Sequence, residues 1–120
     1  MDIERIYNIF CRLTGLDEDS GMKYFNFCTN AADHVAYRLS DSVNDPKCSS
    51  RAEFAAAALA NYRYALSVLT DGTGSEIKVG DITMKNDAAG AVAAAEKLCR
   101  EAFDDLKGYL TDEGFVFKGV

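Results

Sequence analysis

Tryptophan is missing from this chain of 120 residues, and histidine and proline occur once each. Without a run of polar catalytic residue types, composition alone supplies no reaction. Basic residues are also scarce: thirteen Lys and Arg stand against nineteen Asp and Glu, a formal net charge of −6. That field repels nucleic-acid backbones and anionic lipid surfaces, and no local basic run overrides it. No sequence-specific nucleic-acid partner and no membrane partner is therefore expected. Long hydrophobic runs are absent too. The longest, residues 54–60, falls far short of the ~20 residues needed to span a bilayer. The opening Met1-Asp2-Ile3-Glu4-Arg5 has acids where a signal peptide carries a basic segment, so a soluble protein without an export signal is expected.

Cysteine is present but not in pairs. Cys11, Cys28, Cys48 and Cys99 form no C-x-x-C motif, which argues against a zinc knuckle or a thioredoxin-like redox site. Cys11, Cys28 and Cys99 fall on apolar helix faces and are expected to be reduced, buried and slow to react. Cys48 is expected to be a loop thiol that reacts first.

What the chain does have is helical periodicity. A hydrophobic fraction of 48% with 27% charged residues suits an ordinary globular protein, and 120 residues suit one domain spanning 1–120. Ile3, Ile6, Tyr7, Phe10 and Leu13 recur at helical steps, with Asp2 placed to cap the start and Gly15 the end. A second helix follows from Tyr24, through Cys28, Ala31 and Val35 to Leu39, with Asn30, Asp33, His34 and Arg38 on its polar face. Residues 40–50, which contain Asp45-Pro46, read as the major loop. Ser50-Arg51-Ala52-Glu53 fits a capping box and predicts the start of a third helix. That helix runs to Leu69, carries few polar side chains in its first half, and is expected to be the central one.

Beyond residues 70–75 the period changes to two. Ile77 and Val79 alternate with polar residues, Gly80-Asp81 suits a two-residue turn, and Ile82 and Met84 alternate again. The pattern predicts a β-hairpin at about 76–85 with Val79 opposite Ile82 and Ile77 opposite Met84, all four on one face. A fourth helix is expected from Asn86 or Asp87 to near Thr111, burying Val92, Ala95, Cys99, Ala102, Phe103, Leu106 and Leu110. The end, about 115–120, reads as an extended tail with Phe115 and Phe117 on the same side. The expected fold class is mainly α: a body like a four-helix bundle, a short hairpin between the third and fourth helices, and the extended C-terminal tail.

A search for chemistry returns little. Asp71-Gly72-Thr73-Gly74-Ser75 lacks the lysine and spacing of a phosphate-binding loop. Asp33 and His34 are adjacent on a helix and diverge by ~100°, so they form no dyad, and His34 is expected to be solvated. Asp17 with Asp19 reads as helix-start charge, and Asp104 with Asp105 as a solvated face. No catalytic residue, cofactor or metal ligand is assigned.

Three strings carry a family resemblance that covers most of the chain. They are the alanine-rich Ala55-Ala56-Ala57-Ala58-Leu59-Ala60-Asn61-Tyr62-Arg63-Tyr64-Ala65-Leu66, the hairpin string Ile77-Lys78-Val79-Gly80-Asp81-Ile82-Thr83-Met84, and Leu110-Thr111-Asp112-Glu113-Gly114-Phe115-Val116-Phe117. Together with the order of elements, they resemble the small head-tail connector (adaptor or head-completion) proteins of long-tailed bacteriophages and prophages. The resemblance implies a non-enzymatic virion protein, made in the bacterial host cytoplasm, that forms a ring of its own copies between the portal vertex and tail-side proteins. Within that reading Ile77, Val79, Ile82, Met84, Phe115 and Phe117 are the expected protein interface, since an apolar ribbon face left in water is unusual for a monomer. The alternative is a cytoplasmic helical protein-binding or regulatory module whose ribbon folds back on its own helices.

Overall fold

The computed structural model describes residues 1–39, 46–70 and 81–109, with the backbone alone for 81–88. Five α-helices follow one another: α1 (Ile3–Thr14), α2 (Glu18–Gly21), α3 (Phe25–Leu39), α4 (Pro46–Thr70) and α5 (Asp81–Asp105). Short 3-10 turns at Met22–Tyr24 and Lys107–Tyr109 lead into α3 and follow α5. Among the described residues there is no strand.

The first helix ends where its residue types dictate. The Asp2 side chain accepts the Glu4 N–H at 2.9 Å, and Gly15 takes the left-handed φ of 82° while its N–H bonds the Cys11 carbonyl at 2.9 Å. A glycine tolerates that φ because it has no Cβ to clash. Asp17 repeats the N-cap at α2, accepting the Ser20 N–H at 2.7 Å.

The centre of the molecule is α4, which packs on α1, α3 and α5. Ala55, Ala56, Ala57, Ala58 and Ala60 are fully buried. One methyl on every side lets neighbouring helix axes approach to the short end of the usual ~8–10 Å range. Against this rod α1 lays Ile6 and Phe10, α3 lays Cys28, Ala31, Val35 and Leu39, and α5 lays Cys99, Ala102 and Phe103.

Six expectations are corrected here. The second hairpin strand is overturned, because Ile82, Thr83, Met84 and Lys85 lie inside α5. A two-stranded ribbon is marginal by itself. Each residue added to an existing helix gains its own backbone hydrogen bond, and Met, Lys and Ala are strong helix formers. The helix therefore starts at Asp81 rather than at Asn86 or Asp87. Ile77 and Val79 of the first expected strand lie outside the described residues, as do Leu110 and the tail with Phe115 and Phe117.

The third expected helix also begins four residues early. Pro46 opens α4, a position where its missing N–H costs nothing and its fixed φ suits a helix. The capping box is overturned in consequence, since Ser50 stands within the helix and Glu53 is turned to another task. Cys48, expected as a loop thiol, is fully buried in the first turn of α4. Finally, His34 is half-buried rather than solvated.

Candidate functional site

Two polar contacts fix the helices from which any site must be built. The first joins α4 to the start of α1. Glu53, only 4% exposed, accepts the Asp2 N–H at 2.7 Å. Its carboxylate also accepts two bonds from the Arg5 guanidinium, at 2.9 and 3.0 Å. In a capping box the third helical residue would take the N-cap N–H. Here that residue is Arg5, which has no acceptor, so Glu53 supplies the carboxylate from another helix and Arg5 holds it in place. The Arg5 hydrogen bond keeps the Glu53 carboxyl below its ordinary value against the opposing effect of burial.

The second contact closes α2 onto α1. The Tyr7 hydroxyl donates to the Glu18 carbonyl, and burial, with the Cys11 thiol next in effect, pushes that hydroxyl up to about 12. Gly21 is buried against the same ring, and a Cβ there would meet Tyr7 Oη at 2.9 Å and Cys11 Sγ at 3.0 Å. Aromatic rings continue this region. Tyr7 meets Phe25 edge-on at 5.4 Å, and Tyr64 meets both Phe10 at 6.0 Å and Tyr24 at 4.7 Å in the same manner.

An open groove of about 330 Å³ lies between α4 and α5, and α1 contributes to its lining. Its α4 wall is Asn61, Tyr64, Ala65 and Val68; its α5 wall is Ala91, Ala94, Ala95 and Leu98. Both walls have the spacing i, i+3, i+4, i+7, so each is one helix face. Leu13 and Thr14 complete it. The Thr14 hydroxyl is already bonded to the Phe10 carbonyl at 2.9 Å. Among the described residues of the lining Tyr64 is the single titratable one, and burial raises its hydroxyl above the ordinary value, so it is neutral at pH 7. Among the described residues the groove offers apolar shape and a few polar atoms, with no acid and base pair and no activated nucleophile. Its floor is low because alanines line one side.

Of the expected interface residues, Ile82 and Met84 lie within α5, and Ile77, Val79, Phe115 and Phe117 lie outside the described residues. Elsewhere, His34 is held below its ordinary value by burial first, then by the Arg63 and Arg38 charges. Among the described residues, no group of three His, Cys, Asp or Glu side chains is placed to hold a metal ion. No described helix is long and apolar enough to cross a membrane. The groove was missed by sequence reasoning. Its signal was there in the two i, i+3, i+4, i+7 sets, but Ala91, Ala94 and Ala95 read equally well as plain helix formers.

No family model matches the chain, and no curated protein or solved structure matches it.

Proposed function

We propose that the protein is a non-enzymatic helical assembly module that works through protein contacts, and that its role is that of a subunit in a phage head-tail connector ring. The observation that supports a contact role is the groove between α4 and α5, an apolar concavity without reactive groups. The specific role rests on the resemblance of the alanine-rich string, which forms the buried middle of α4, and of the string from Leu110 to Phe117. The hairpin has no part in it. The partners implied are further copies of the chain, a portal and tail-side proteins.

The test is deletion of the gene from its source phage or prophage, followed by induction and electron microscopy of the lysate. A connector predicts DNA-containing heads and separate, unjoined tails, restored to whole particles by the gene supplied in trans. Whole infectious particles from the deletion strain would overturn the role and favour a helical binding or regulatory module.

A further inference from the structure

Among the described residues the most exposed large apolar side chain is Tyr37 of α3, at 78%, and the groove between α4 and α5 is an apolar hollow. We propose that the groove's occupant is a second copy of this chain, whose Tyr37 ring enters it as a knob. The proposal rests on the protein-contact reading of the groove and names the partner.

Placement requires two copies. Tyr37 stands two positions from both Val35 and Leu39, which are fully buried in the core, so it is turned ~200° from each around the α3 axis. Those buried residues face α4, so Tyr37 points away from α4, whereas the groove lies on the side of α4 that meets α5. A Tyr37 ring therefore does not reach the groove of its own chain. The contact is heterologous: a knob in the next copy's groove leaves one knob and one groove unused at the ends of the pair. Repetition of that step closes a ring or extends a filament.

The chemistry of the two surfaces agrees. A tyrosine carries an apolar ring and a polar tip, and its hydroxyl needs a partner once buried. The α5 wall presents the methyls of Ala91 and Ala94, both exposed, with open space above them. The α4 wall carries Asn61, whose amide has both a donor and an acceptor for the hydroxyl. The Arg38 guanidinium, 5.5 Å from the Tyr37 ring centre, steadies the ring before it docks, which reduces the ordering cost of insertion. Charge agrees too. Asp33 lies one turn before Tyr37 on α3, and Lys97 one turn after Ala94 on α5, and both are exposed. With Tyr37 over Ala94, Asp33 of one copy and Lys97 of the next each stand about 6 Å from the contact, opposite signs on its rim.

The experiment places p-benzoylphenylalanine at position 37 of the full chain, irradiates the concentrated protein and maps the crosslinks by mass spectrometry. A mixture of isotopically light and heavy preparations separates links between copies from links within one. The expected result is a ladder of covalent oligomers in which position 37 of one copy is joined to residues 61–68 or 91–98 of another. Asp33→Lys should lower the yield several-fold, and adding Lys97→Asp should restore it. Crosslinks between copies that join position 37 to any other surface, or no crosslink between copies, would overturn the proposal. Failure of the connector role reads differently: groove crosslinks together with whole particles from the gene deletion would keep this contact and remove that role.

Discussion

At the scale of single residues, burial decides how the four thiols behave. Desolvation pushes the Cys28 and Cys99 thiols up to about 12, which leaves almost no thiolate at neutral pH, and thiolate is the reactive form. Cys48 is fully buried, and Cys11 is the one thiol with partial exposure. Mass spectrometry of the native protein during timed alkylation is expected to show Cys11 modified first and the other three only as the chain unfolds. Glu53 sets a second expectation. Its folded value is lowered, so the stability it contributes is present above about pH 4.5, its ordinary range, and is lost as pH falls through the lower folded value. Glu53→Gln keeps an acceptor for the Asp2 N–H but removes the charge from the bond to Arg5. Because Arg5 is largely exposed and regains water, the expected cost is about 1 kcal/mol at pH 7. Thermal melts of the two proteins should differ by a few degrees at pH 7 and converge only as pH falls through the lowered folded value of Glu53. A constant difference across that range would contradict the assignment.

At the scale of elements, the fold was legible where local chemistry and tertiary packing agree. The α1 caps at Asp2 and Gly15 are local devices, and they stand where their residue types put them. The buried stripe of α5, with Ala95, Cys99, Ala102 and Phe103, and Leu106 just beyond its end, was likewise written in its period, although Val92 is only partly buried. Misreadings came where two local signals competed. Ile82 and Met84 alternate with Thr83 and Lys85, a strand period, yet four residues are too few to outweigh the helix they adjoin. Ser50 and Glu53 match a capping box by type, but α1 needs the Glu53 carboxylate, and that need is invisible within α4. The groove was illegible for a related reason: each of its walls is periodic, but a cleft depends on how two helices sit against each other. Backbone assignments test the disputed element. Cα shifts of Ile82, Thr83, Met84 and Lys85 are expected downfield of random coil, the helical sense, continuous with those of residues 89–105. Upfield Cα shifts at these four positions would restore the ribbon.

At the scale of the whole molecule, the account makes α4 the rod on which everything else is laid. Five alanines without exposure admit α1, α3 and α5 at close range, so the helix is apolar on nearly every side. Substituting a leucine for Ala57 adds volume that no neighbour has room for, which costs typically 1–3 kcal/mol. Such an arrangement has a kinetic consequence: α4 cannot open while its neighbours stay folded, whereas α1 or α5 can detach from one side. Native-state hydrogen exchange read residue by residue under increasing denaturant tests this most directly. The amides of Ala55, Ala56, Ala57 and Ala58 are expected to exchange only through global unfolding, with an opening free energy equal to that of the whole protein and at least that of any amide in α1, α3 or α5. Exchange of those four amides through a smaller opening, with α1 or α3 still protected, would contradict the central place given to α4.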